Sequence, residues 1–408
     1  VSEPGLSADV AERDAFDGSS SRKPGMTEQT AAPTATKKAH IVGSSTTKVW
    51  TLSPVERLAR LFASHRIPVA ATEAELEGAT DVIGVLGDHV YEPTLIVNLI
   101  GDPNTVLCTE EGRPVAFHVP ASLAPAAFEA LASGTMSDAL RAATKRVEPK
   151  DLAYNKQLRK RATPFVLPVT EDTKRAIEKR IFAGSYKGVT DLATKYLFPW
   201  PVRQLTHLAA ALRLRPNHVT TMSLGLTLLA TWLFWEGRFV TGVIAAWGMC
   251  LLDSVDGKLA RCTITSSKLG DVFDHAIDLI HPPFWWWAFM VGLGPAFAEH
   301  PYADLVFWTI MILYVAQRLL EAFFIVMFKL EMHIWRPFDS AFRLVTARRN
   351  PNLLALTIAV AIGRPLEGML FVGAWTAASF VVHLLQVLQA SIAKSMGKPI
   401  VSWLTQEP

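Results

Sequence analysis

The chain has 408 residues, half of them hydrophobic, with 12 Trp, 21 Phe and a formal net charge of +3. That length and apolar content exceed one ordinary soluble domain, and so small a net charge, with no stripe of Lys/Arg interleaved with aromatics, argues against nucleic acid as a partner. The cysteines Cys108, Cys250 and Cys262 are scattered, with no CxxC or Cys/His spacing, and read as free thiols rather than a zinc site or disulfide framework.

Residues 1–38 are rich in Ser, Thr, Pro, Ala and charge, without an apolar run or a cleavage-type signal sequence, and read as a disordered tail. From AHIVG onward, short apolar runs alternate with amphipathic stretches such as SPVERLARLFASH and SLAPAAFEALAS, the pattern of an α/β domain over residues 39–168. Ser53-Pro54-Val55-Glu56 predicts a helix start: an N-cap, a Pro at the first helical position and a Glu placed to close a capping box. Residues 169–216 read as a basic helical linker. Within it Trp200, Leu205, Leu208 and Leu212 mix with Arg203, Arg213 and Arg215, as expected of a helix lying along a membrane surface, with a soluble linker helix as the plainer alternative.

Six apolar segments follow, with cores near 219–235, 239–253, 273–292, 303–327, 350–363 and 367–391. They predict a helical membrane domain over residues 217–395, ahead of a C-terminal tail at 396–408. The fifth is the weakest, being short. The connections on one side carry Lys258, Arg261, Lys268, Arg343, Arg348, Arg349, Lys394 and Lys398, and those on the other (EGR, GPAFAEHPYAD, GRPLEG) carry few cations. The positive-inside rule then puts both termini, and the acidic cluster described next, at the cytoplasmic face.

Asp253 and Asp256 stand three apart near the end of the second segment, and Asp274 and Asp278 four apart at the start of the third. Both spacings put a pair of carboxylates on one helix face. An ionised side chain within a bilayer costs roughly 2.5–3.5 kcal/mol on insertion scales, so four acids need a positive partner. Lys258, Arg261 and Lys268 are near, but their long stems favour the phosphate-rich interface. Divalent Mg²⁺ or Mn²⁺ is the better partner, and four carboxylates suit two ions, or one ion and a base. Gly257, Gly270 and Ala260 keep the same surface low, either for a ligand lying over the backbone or for a packed neighbouring helix. Asp271 reads as a solvent-exposed loop charge.

The string Asp253-x-x-Asp256-Gly257-x-x-Ala260-Arg261, eight residues, Gly270-x-x-x-Asp274-x-x-x-Asp278 resembles the full signature of the CDP-alcohol phosphotransferases, integral membrane enzymes of phospholipid synthesis. The resemblance implies a six-helix domain that cleaves the pyrophosphate of a CDP-linked donor, releases CMP and joins the remaining phosphoryl group to an alcohol. It implies that Asp253, Asp256 and Asp274 are metal ligands and that Asp278 is the base, with possible metal contact of its own. By the same resemblance Gly257, Ala260, Arg261 and Gly270 border the nucleotide with Asp256, and the homologues' homodimeric state is expected here. RPNHVT, residues 215–220, resembles the PNxxT stretch of the family, which brings Asn217 and Thr220 to the nucleotide. Pro-Asn followed by Thr is also common helix-start chemistry.

Arg343, Arg348 and Arg349 are candidates for binding an acceptor phosphate, against simple positive-inside charge. The front domain resembles the nucleotidyltransferase-like (Rossmann-type) domain of bifunctional enzymes that make CDP-inositol and then transfer its phosphoinositol, with GDHVYEP as the acidic turn. The Gly-rich GxGTR-like turn is missing: SSTTKVWTLSP follows AHIVG. The front domain is therefore expected to be inactive, with Asp88 and Lys48 as remnants, and free to dock a partner or support the membrane domain. The donor would then come from elsewhere, CDP-diacylglycerol with a polyol or polyol phosphate acceptor leading, and CDP-inositol with a lipid alcohol following. A divalent cation transporter is the rival class, but it would spread its acids over several helices.

Overall fold

The computed structural model describes residues 36–152, 154–155, 160–161, 163–266 and 268–405, with the backbone alone at 154–155, 160–161, 268–269 and 271. The disordered-tail reading lies outside the described residues except at its end, where Lys37 and Lys38 already belong to the first strand.

The front region alternates strands and helices. Its elements are β1 (Lys37–Val42), α1 (Pro54–Ser64), β2 (Val69–Ala70), β3 (Asp81–Leu86), β4 (His89–Tyr91), α2 (Pro93–Gly101), β5 (Thr105–Cys108), β6 (Pro114–Pro120), α3 (Ala124–Ser133), α4 (Asp138–Ala143), β7 (Lys145–Val147), β8 (Tyr154–Asn155), β9 (Lys160–Arg161) and β10 (Val166–Pro168). Six strands form one sheet in the order β2-β1-β3-β6-β5-β7. β1 is parallel to β2 and β3, whereas β6 runs antiparallel to both β3 and β5. The sheet is thus mixed, departing from an all-parallel Rossmann-type arrangement at β6. Phe62, Ile83 and Phe117 are fully buried at its core. α1 starts as its sequence requires: Ser53 Oγ accepts from Glu56 N at 3.2 Å while Glu56 Oε2 accepts from Ser53 N at 2.7 Å.

The rest is helical: α5 (Glu171–Gly184), α6 (Pro199–Ala211), α7 (Pro216–Trp235), α8 (Phe239–Thr263), α9 (Lys268–Gly292), α10 (Pro295–Ala298), α11 (Ala303–Phe328), α12 (Pro337–Phe342), α13 (Arg349–Ala361) and α14 (Pro365–Ser395). Among the described residues three helices, α8, α11 and α14, are long and apolar enough to cross a membrane. The six-span expectation is not matched by that criterion. α13 has 13 residues, about 20 Å of helix against a hydrocarbon thickness of about 30 Å. α6 exposes Trp200 and Leu208, and its C-cap Leu212 is exposed too, while Leu205 packs on the main apolar core.

α9 contains consecutive prolines, Pro282 and Pro283. Neither has an N–H, so the carbonyls four residues earlier, those of Asp278 and Leu279, lose their helical donors. Tyr314 of α11 faces both, its hydroxyl 3.5 Å from Asp278 O and 3.0 Å from Leu279 O.

Candidate active site

α8 and α9 bring the four motif aspartates together. Carboxylate oxygens of Asp253, Asp274 and Asp278 lie within 4.8 Å of one another. Asp256 is buried beside them, and Thr220 Oγ1 of α7 donates to its Oδ2 at 2.6 Å. The peptide N–H of Gly257 closes on Asp256 Oδ1 at 2.5 Å. Thr220 therefore orients an acid of the next helix, a role that its Pro-Asn context alone does not reveal.

The residues expected at a nucleotide, Arg261 excepted, line one pocket. Asn217, Thr220, Asp256, Gly257, Ala260, Gly270 and Asp274 line it, together with Pro216 of α7 and with Thr265 and Ser266, which follow α8. A Cβ at Gly257 would stand 3.1 Å from Nη2 of Arg261, so a side chain there would require the guanidinium to shift slightly.

The cations are arranged differently from the sequence expectation. Arg349, grouped there with Arg343 and Arg348, stands among the carboxylates instead: its Nη2 is 2.6 Å from Asp253 Oδ2 and its Nη1 pairs with Asp278 Oδ1. Lys258, expected to reach toward the membrane interface, is buried with its ammonium 3.9 Å from the centre of the Tyr186 ring. A cation–π contact and the stem's apolar packing explain that inward turn. The side chains of Asp271 and Lys268 lie outside the described residues.

Arg348 instead pairs with Glu321, which also meets His333 Nε2 at 3.2 Å and Arg318 at 2.8 Å. Arg343 is close by, and its Nε and Nη1, like Nε of Arg318 and Arg348, are buried without a hydrogen-bond partner among the described residues. Glu321, His333 and His383 have ligand atoms close enough to share a cation. With Arg318 and Arg348 already on the single carboxylate, the surroundings are positive and favour an anion. In the front region Lys48 is exposed and Asp88 Oδ1 lies 2.6 Å from His89 Nδ1.

Hard oxygen donors clustered this closely, with one guanidinium drawn between two of them, fit a divalent cation site. The group Asp253, Asp274 and Asp278 supplies three such ligands.

Residues 213–351 match the CDP-alcohol phosphatidyltransferase family. Among curated relatives, an archaetidylinositol phosphate synthase from Pyrococcus horikoshii is 37% identical over 79 residues, 19% of this chain and 42% of that protein. Cholinephosphotransferase 1 from Xenopus laevis is 30% identical over 124 residues, 28% of this chain and 30% of that protein. The chain thus spans less than half the length of either relative. A solved structure, phosphatidylinositol phosphate synthase from Mycobacterium tuberculosis with CDP-DAG bound, has 16% identity and a TM-score of 0.36 over 46% of this chain and 92% of that one.

Proposed function

We propose that the chain, which carries a CDP-alcohol phosphatidyltransferase domain in its C-terminal region, is a metal-dependent membrane enzyme that transfers a substituted phosphate from a CDP-linked donor to an alcohol and releases CMP. The observation that carries this reading is the convergence of Asp253, Asp274 and Asp278 next to a pocket floored by Gly257 and Ala260.

Asp253, Asp256 and Asp274, with Asp278 at the edge, would hold one or two Mg²⁺ or Mn²⁺ ions. A cation held there would neutralise charge on the donor pyrophosphate. The low surface over Gly257, Ala260 and Gly270 admits the nucleotide, with Asn217 and Arg261 at its border. Thr220 keeps Asp256 aimed at the site. Asp278 takes the proton of the attacking hydroxyl, a poor nucleophile at neutral pH. In the state described here Asp278 is held by Arg349, so this guanidinium is freed, or shared with the donor's phosphates, when substrate enters. Arg343 and Arg348 are the better candidates for an acceptor phosphate, supported by Nε and Nη1 of Arg343 and Nε of Arg348, which are buried without a hydrogen-bond partner among the described residues.

The leading version pairs CDP-diacylglycerol with a polyol or polyol phosphate, and the relative named as an archaetidylinositol phosphate synthase supports an inositol phosphate acceptor. The relative named cholinephosphotransferase supports a second reading, in which a soluble CDP-alcohol such as CDP-inositol gives its head group to a lipid alcohol. Six spans, a cytoplasmic site and a homodimer belong to the same proposal. The test is mass-spectrometric identification of products after the protein is offered CDP-diacylglycerol with inositol phosphate, glycerol phosphate or inositol, and CDP-inositol with diacylglycerol. A phospholipid product from the first set supports the leading version, a product from the second reverses donor and acceptor, and no product from either contradicts both.

A further inference from the structure

Among the described residues, α1 of the front region hydrogen-bonds to the last residues of α8, just before the turn that leads to α9. α8 carries Asp253, Asp256 and Gly257, and α9 carries Gly270, Asp274 and Asp278, so this turn fixes how the two halves of the acidic cluster face each other. It has to be held. Ile264 closes α8 in the left-handed region at φ 51°, a conformation that a β-branched residue adopts only under outside restraint. The last carbonyls of α8 also have no helical donors of their own.

Two arginines of α1 supply that restraint. Arg57, 4% exposed, donates from Nη1 to Cys262 O at 2.6 Å. Arg60 donates from Nη1 to Thr263 O at 2.8 Å. Guanidinium groups at a helix C-terminus satisfy orphan carbonyls and oppose the negative end of the helix dipole.

α1 is anchored in turn by the segment that precedes it. Trp50 is buried, its indole N–H donates to Glu178 O at 3.1 Å, and its backbone N–H donates to Glu178 Oε1 at 3.0 Å. Its ring stacks on His207 of α6 with centroids 4.0 Å apart and planes 17° apart. The stretch after β1, where a nucleotidyltransferase would need a glycine-rich turn, thus serves here as an anchor on α5 and α6.

We infer that Arg57 and Arg60 are positioning residues of the phosphotransferase site: the front region sets the geometry of the aspartate cluster by clamping the α8–α9 turn. The inference rests on the proposed metal-dependent reaction, so its test uses two readouts besides turnover.

Full-length Arg57→Gln/Arg60→Gln protein in detergent is compared with the unchanged protein for Mn²⁺ affinity by titration and for hydrogen exchange at the Thr265 amide, which bonds to Ala260 O at 2.9 Å. The expected result is a folded protein with Mn²⁺ binding weakened roughly 10-fold, the lower end of what loss of supporting contacts around a metal site produces, and faster exchange confined to the turn. Arg57→Lys should recover part of the affinity. Should the double variant not fold, Arg60→Gln alone decides, with the same changes in smaller measure. Unchanged affinity and unchanged exchange in a folded variant overturn the inference. If the unchanged protein itself binds no Mn²⁺, the functional reading fails, and the exchange result still decides whether the clamp exists.

Discussion

The Tyr314 hydroxyl donates to the carbonyl oxygen of Leu279 at 3.0 Å, one of two carbonyls that Pro282 and Pro283 deprive of a helical partner. The other belongs to Asp278, the proposed base. α11 therefore steadies the backbone that carries that base. Tyr314→Phe should leave a part-buried carbonyl without its donor and cost about 0.5–1.5 kcal/mol of stability. Thermal unfolding should show that loss, and kcat should fall more than KM rises. Unchanged kcat in the folded variant would separate Tyr314 from the chemistry.

Thr220 and Asp256 form the contact between α7 and the motif, at 2.6 Å. Thr220→Val keeps the shape and removes the hydroxyl, leaving a buried carboxylate short of a donor. Nucleotide or metal affinity should drop about 10-fold, equivalent to roughly 1.4 kcal/mol, and Thr220→Ser should restore most of it. Isothermal titration with Mn²⁺ and CMP reads both.

Arg349 compensates two partly buried acids, Asp253 and Asp278. Arg349→Gln should destabilise the metal-free protein by up to about 3 kcal/mol, chiefly through the uncompensated Asp253, because Asp278 is 41% exposed and partly screened by solvent. Adding Mn²⁺ should shrink that deficit, since a bound cation replaces the lost charge. Melting temperatures of both proteins with and without Mn²⁺ test this, and a deficit indifferent to Mn²⁺ would speak against a shared site.

Asp253→Asn and Asp278→Asn should differ. The first should weaken metal binding and activity together, whereas the second should abolish turnover while CMP binding largely survives. Equal loss of binding in both would remove the separate role given to Asp278.

Asp191 supplies a pH test outside the membrane segments. Burial pushes its carboxyl up, but Arg343, the Thr194 amide and hydroxyl, and Asn350 outweigh burial and hold the pKa below the usual value. A depressed carboxylate stabilises the fold above its unfolded pKa, about 3.9, and that contribution is lost as pH falls through the lower, folded value. Stability should therefore decline below about pH 4 partly through this group. Asp191→Asn should lower stability at neutral pH and flatten the acid limb of the curve, as measured by unfolding between neutral and acid pH.

The local chemistry of the chain was legible wherever neighbours in sequence determine it. Ser53-Pro54-Val55-Glu56 encodes its own capping box, and the aspartate spacings place carboxylates on one face of a helix before any tertiary contact forms. The pairing of Arg349 was not legible, because its partners, Asp253 and Asp278, lie 96 and 71 residues away, and an arginine in a basic loop carries no mark of which acid it will meet. Lys258 was misjudged for a related reason: Tyr186 comes from the linker, and only packing brings its ring over the ammonium. Arg57 and Arg60 look like the polar face of an amphipathic helix, and their carbonyl partners are more than 200 residues distant. Tyr314 had one readable sign, the paired prolines following Asp278, which announce two carbonyls in need of a donor.

Cleavage of a CDP-linked donor by the aspartate cluster would release CMP. It is tested most directly by measuring CMP release from CDP-diacylglycerol by the purified protein in detergent, with Mn²⁺ or with chelator, across inositol phosphate, glycerol phosphate and inositol. CMP should appear only with the divalent ion, depend on one acceptor and vanish in Asp278→Asn. CMP release that persists in chelator, or in Asp278→Asn, would contradict cleavage by that cluster.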